Sequence, residues 1–135
     1  MAIGEALAKD VDHRIKAVCV VHNETSTGAM SDVAAVRAVI DETRHPALLM
    51  VDTISSLASI DFRHDEWGVD VTVAGSQKCL LLPPGLSFNS VSEMARAVNE
   101  TSGFPVSHWR LQQGRWAQCR ASYYSRAPGV DARST

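Results

Sequence analysis

Asp52 and Lys78 carry most of the chemical potential of this chain, and each stands where a strand-like run meets a loop. Val69, Val71 and Val73 alternate with Asp70 and Thr72, the period of a pleated strand; Gly75 and Ser76 break the run, and Lys78 follows. From Cys79 to Phe88 no charged residue occurs. A lysine partly withdrawn from water holds its proton less tightly and becomes a usable amine nucleophile. A lysine that merely snorkels out of an apolar region fits the same pattern. The run Ala47-Leu48-Leu49-Met50-Val51 ends in Asp52 and has the continuous apolar character of a buried parallel strand. In open α/β sheets, ligands bind beyond the carboxyl ends of the strands. An acid and a lysine on one such edge suit pyridoxal 5'-phosphate, the lysine binding it covalently and the acid keeping its ring nitrogen protonated. Taken alone, Asp52 also fits a helix cap or a turn carboxylate.

The elements that must position these residues are legible around them. Met1–His13 resembles the tail of a helix, and Ile15–Val21 reads as a buried strand, with Cys19 as a small hydrophobe within it. His22–Gly28 reads as a hydroxyl-rich loop. Ser31 is expected as an N-cap with Asp32 in the first turn, followed by Val33, Val36 and Ile40 at helical spacing. Arg37 and Asp41 are spaced to pair on the solvated face, and His45-Pro46 ends the helix. Strand, helix and strand from Ile15 to Asp52 form a right-handed crossover. Thr53–Ser59 is a hydroxyl-rich loop, Asp61–Asp65 a charged exposed stretch, and Trp67 is expected on the sheet edge. Pro83-Pro84-Gly85 is a turn, Leu86–Ser90 a further strand and Val91–Val98 a short helix. Cys79 reads as a packing residue.

Composition narrows the function class. The 135 residues suffice for one modest domain, and 45% hydrophobic with 21% charged residues fits a soluble globular chain. A net charge of -2 points to neither nucleic acid nor membrane, and no apolar run is long enough to span a bilayer. With no signal-peptide pattern, the expected location is cytoplasmic. The three cysteines are dispersed without a Cys-x-x-Cys pair, and the histidines show no metal spacing, so no metal site is expected.

Four motifs, in order, carry a family resemblance: His22-Asn23-Glu24-Thr25-Ser26-Thr27-Gly28, Val51-Asp52-Thr53-Ile54-Ser55-Ser56-Leu57, Gly75-Ser76-Gln77-Lys78 and Pro83-Pro84-Gly85. Together they resemble the class V aminotransferases, in particular the serine–glyoxylate and alanine–glyoxylate branch, over about Ala8 to Val98. The stretch His64–Asp70 resembles the bacterial serine–glyoxylate enzymes. The resemblance implies an α/β fold, part of the large domain of the fold-type I pyridoxal-phosphate enzymes, with a mostly parallel sheet flanked by helices. It implies Lys78 as the catalytic residue that binds the cofactor covalently and moves the substrate proton. Asp52 lies at the ring nitrogen, Thr25 in contact with the cofactor and Gln77 near its phosphate. Ile54 packs on one ring face, although it serves equally well as a plain core residue. The implied substrates are serine or alanine and glyoxylate, and the parent family is homodimeric.

Residues 1–98 then form a piece of the cofactor-binding domain, and residues 99–135 a divergent tail. From residue 101 onward it holds Arg110, Arg115, Arg120, Arg126 and Arg133 against the single acid Asp131, with no clean period. The family's phosphate loop is expected before Met1 and its carboxylate-binding arginine beyond the recognisable region. The chain alone is therefore expected to show no measurable transamination. The alternatives are a catalytically dead remnant of such an enzyme, or a cysteine-desulfurase-like member of the same class, which would need a reactive cysteine.

Overall fold

A computed structural model describes residues 2–101 and the strand 123–126. In chain order the elements are α1 (Ala2–Lys9), β1 (Ala17–Val21), β2 (Asn23–Glu24), β3 (Ala29–Met30), α2 (Val33–Glu42), β4 (Leu48–Asp52), β5 (Val71–Gly75), β6 (Leu86–Val91), α3 (Glu93–Thr101) and β7 (Tyr123–Arg126). The five-stranded sheet has the order β1-β4-β5-β6-β7, with β2 and β3 forming a separate hairpin. β1 and β4, and β4 and β5, pair in parallel; β6 runs antiparallel to both β5 and β7, and is the one strand that opposes the others. The architecture is α/β with a mostly parallel sheet.

Helical periodicity decides which side of the sheet is dry. Val33, Val36 and Ile40 line one stripe of α2 and pack with Leu7 of α1 over Leu49 and Val51 of β4. Ile40 and Leu49 are wholly buried, each worth about 1.5–3 kcal/mol of transfer free energy. Along β4 the alternate positions Leu48, Met50 and Asp52 are only half-buried, because they face the other way.

The same alternation corrects the reading of β1. Register places Cys19 opposite Met50 and Val21 opposite Asp52, on the face that α1 and α2 do not cover. Cys19 is therefore exposed rather than a buried hydrophobe, and β1 is a half-covered edge strand rather than a buried one. Val18 and Val20, on the opposite face, pack against the core.

The ends of α2 also differ from expectation. Asp32, not Ser31, is the N-cap, its carboxylate accepting the Ala35 amide at 2.9 Å. Ser31 is held in the preceding hairpin, where its amide donates to the His22 carbonyl. The helix stops at Glu42, ahead of His45-Pro46: Thr43 is the C-cap and its hydroxyl donates to the Val39 and Ile40 carbonyls. The expected Arg37–Asp41 pair forms, with Arg37 Nε donating to Asp41 Oδ1 at 2.9 Å.

The third helix begins later than expected. Val91 completes β6, and Ser92 caps α3 by accepting the Ala95 amide at 3.1 Å. α3 runs through Asn99 to Thr101. Within the arginine-rich segment, β7 pairs with β6 from Leu86↔Arg126 to Asn89↔Tyr123. The rest of that segment lies outside the described residues.

Candidate functional site

The carboxyl ends of β4 and β5 lie side by side, since Met50, Val51 and Asp52 pair with Val71, Thr72 and Val73. Asp52 is the last residue of β4 and is half-buried. Among the described residues its carboxylate makes one hydrogen bond, accepted by Oδ1 from the Ile54 amide at 2.8 Å. Lys78 follows Gly75, the last residue of β5, by a short turn at the same edge. The sheet thus brings the acid and the lysine to one edge, as the sequence suggested.

Ile54 and Gln77 both approach Gly75 at this edge. A Cβ built on Gly75 would lie 3.2 Å from Gln77 Oε1 and 3.7 Å from Ile54 Cγ2, so the absent side chain keeps this approach open. Asp52, Val73 and Gly75 share the sheet face that α1 and α2 leave uncovered. Thr25 stands in the turn of the β2–β3 hairpin, beyond the carboxyl end of β1. The expected loop over His22–Gly28 is therefore a hairpin, closed by Gly28 N–H donating to the Glu24 carbonyl at 2.7 Å, with Gly28 at φ +70°. Thr25 itself is exposed.

Lys78 is exposed, which corrects the expectation that it is partly withdrawn from water. The reason lies in its turn. The Leu82 amide donates to the Ser76 carbonyl, the Leu81 amide to the Lys78 carbonyl, and the Ser76 hydroxyl to the Pro83 carbonyl at 2.7 Å. These bonds project the segment past the sheet edge, leaving Leu81 89% exposed. An uncharged flank is not a buried one. A cavity of about 660 Å³ opens at the opposite, amino edge, lined in part by Arg37, Trp67, Gly68, Asp70 and Met94. Asp52 and Lys78 do not line it.

Two buried polar residues, one beside the site and one at the opposite edge, escaped the sequence. One is His22, 2% exposed, whose Nδ1 lies 2.9 Å from Ser56 Oγ and whose ring packs beside Phe62 and Trp67. Burial lowers its pKa, against the opposing charge of Asp61. The hydroxyl run 53–59 was the available signal. The other is Asp70, whose alternation with valines reads as an outward polar position. It is 3% exposed, accepting the Leu49 amide at 2.9 Å and the Ser92 hydroxyl at 2.8 Å. Trp67, expected on the sheet edge, packs partly buried against the core with Phe62.

Comparison with known proteins agrees with this geometry. Residues 3–125 match the sequence profile of the aminotransferase class-V family, past Asn99 into the segment whose sequence showed no resemblance. The chain is 51% identical over 100 residues to serine–glyoxylate aminotransferase from Arabidopsis thaliana, covering 74% of this chain and 25% of that protein. It is 46% identical over 119 residues to L-aspartate–glyoxylate aminotransferase from Paracoccus denitrificans, covering 88% and 30%. The fold superposes on the crystal structure of alanine–glyoxylate aminotransferase from Nostoc with a TM-score of 0.66 and 33% identity, over 78% of this chain and 28% of that one. The chain thus spans between a quarter and a third of the length of these relatives. With a family match over most of its residues and the acid and lysine on one edge of a mostly parallel sheet, the chain belongs to the aminotransferase class-V family.

Proposed function

We propose that this chain is the lysine-bearing part of a pyridoxal-phosphate enzyme that transfers an amino group from serine or alanine to glyoxylate. The observation that carries the reading is the placement of Asp52 and Lys78 at neighbouring carboxyl ends of parallel strands. Glyoxylate occurs in the names of all three relatives above, whereas the donor differs among them. The donor set fits the cofactor. Among the described residues Asp52 retains acceptor capacity beyond its bond to the Ile54 amide, and the bare Gly75 lets Gln77 and Ile54 lie close over the end of β5.

When bound, pyridoxal phosphate supplies a ring that takes up the electron pair released at the substrate α-carbon. Asp52 holds the proton on the ring nitrogen. Lys78 Nζ would be the attachment point, and its free amine would be the base that moves the α-carbon proton. Ile54 would pack on the ring, Gln77 would bind toward the phosphate and Thr25 would contribute its hydroxyl. Exposure of Lys78 leaves its amine free to reach the cofactor.

Borohydride trapping tests this assignment. The chain incubated with pyridoxal phosphate, reduced and digested should carry the label on Lys78, and Lys78→Ala should carry none. The other lysines are Lys9, closing α1, and Lys16, whose Nζ donates to the His13 carbonyl ahead of β1. Label on Lys9 or Lys16 without Lys78 would overturn the assignment. At Cys79 a cysteine-desulfurase reading finds little support, because that residue is half-buried with its thiol turned toward the Ser55 carbonyl at 3.5 Å.

A further inference from the structure

We infer that His22 is a positioning residue: through Ser56 it fixes the loop that aims the Asp52 carboxylate and ties that loop to the hairpin carrying Thr25. This rests on the reading that Asp52 faces the cofactor ring. With one bond among the described residues, to the Ile54 amide, the carboxylate takes its aim from the backbone of residues 53–56.

That backbone is held from three sides. Toward β1, the His22 amide donates to the Asp52 carbonyl at 2.9 Å, continuing the β1–β4 ladder. The imidazole then meets Ser56 Oγ, itself wholly buried. Beside it Asn23 Nδ2 donates to Ser55 Oγ at 3.2 Å, and Ser55 Oγ donates to the Asn23 carbonyl at 2.8 Å. Toward β5, both the amide and the hydroxyl of Thr53 donate to the Val73 carbonyl, at 2.8 and 3.0 Å. Toward the Lys78 turn, the Cys79 thiol reaches the Ser55 carbonyl. The loop joins the three segments on which Thr25, Asp52 and Lys78 sit.

The imidazole fills a space that an apolar side chain would fill without a desolvation cost. Its ring centroid lies 5.4 Å from that of Phe62 and 6.1 Å from that of Trp67. A polar group buried there is stabilising only through its bond to Ser56. That bond supplies orientation. A displacement of about 1 Å in a catalytic group can cost about 100-fold in rate.

Three variants of the full chain test the inference: Ser56→Ala, His22→Leu, which fills the space without the bond, and His22→Asn, which restores a polar group near the Nδ1 position. Amide hydrogen exchange is followed by NMR alongside pyridoxal-phosphate affinity by absorbance titration. In Ser56→Ala and His22→Leu the Ile54 amide should exchange about tenfold faster relative to the β4 amides, and the cofactor should bind about tenfold more weakly. His22→Asn should recover a good part of both. Unchanged Ile54 exchange in Ser56→Ala, or an equal rise across β4, would overturn the inference, and Ser56→Ala decides it even if His22→Leu fails to fold. Failure of the unmodified chain to take up pyridoxal phosphate would count against the proposed function, while the exchange data would still decide the role of His22.

Discussion

Asp52 and Asp70 mark opposite edges of the same strand pair, Asp52 closing β4 and Asp70 leading into β5. Asp70 is 3% exposed and committed on every side. Oδ2 accepts the Leu49 amide and lies 3.5 Å from Arg37 Nη1, and Oδ1 accepts the Ser92 hydroxyl. Its own amide and carbonyl pair with Leu49 and Ser92. One side chain thereby joins β4, the start of α3 and α2. Asp52 is half-buried and uses one acceptor site among the described residues. A carboxylate can accept about four hydrogen bonds. The saturated one holds the fold, and the open one is available to a ligand.

The widest test of that contrast is Asp70→Ala. It leaves the Leu49 amide and the Ser92 hydroxyl without their acceptor and removes one of the two carboxylates beside Arg37, which keeps its pair with Asp41, so it should cost about 2–4 kcal/mol, read as a drop in the denaturation midpoint. A loss below about 1 kcal/mol would mean the Asp70 network is not holding the amino edge together. Gly68→Ala probes the same edge more gently. Gly68 has φ +59°, and an added Cβ would sit 3.1 Å from Arg37 Cδ. The left-handed backbone alone should cost about 1–2 kcal/mol, and a neutral result would show that residue 68 does not hold that backbone conformation. At the other edge Asp52→Asn should shift stability by less than about 0.5 kcal/mol, since an amide oxygen can still accept the Ile54 amide. It should nevertheless weaken pyridoxal-phosphate binding about tenfold or more, because the amide cannot hold the ring-nitrogen proton as a carboxylate does. If Asp52→Asn destabilised the fold as much as Asp70→Ala, the two carboxylates would not differ in kind.

The sequence was most informative where local pattern and tertiary environment agree. Val33, Val36 and Ile40 marked the buried stripe of α2, and the valine alternation before Gly75 marked β5. It was least informative where exposure depends on distant coverage. Nothing in Ala17–Val21 tells which of its faces α1 and α2 will cover, so Cys19 looked as buried as Val20. Asp70 failed in the opposite sense, because period-two reasoning assigns a polar residue to water and cannot foresee acceptance from Leu49 and Ser92. In the site, the edge shared by Asp52 and Lys78 followed from the crossover pattern. The exposure of Lys78 did not, because its turn is set by bonds to the Ser76, Lys78 and Pro83 carbonyls, which the side-chain pattern does not display.

The sheet register also bears on the order in which the site assembles. Gly75 pairs with Ser87, 12 positions on; Met50 with Val71, 21 positions on; and Ala17 with Leu48, 31 positions on. Chain-closure entropy rises with the logarithm of the separation, so the last pairing costs about 0.8 kcal/mol more than the first. The expected sequence is hairpin first, then β4 onto β5, and β1 last. Substitutions at Ala74 should then slow refolding more, relative to their effect on stability, than substitutions at Val20. On this order the strand delivering Lys78 is in place before the one ending at Asp52, and the hairpin carrying Thr25 closes over an edge that already exists.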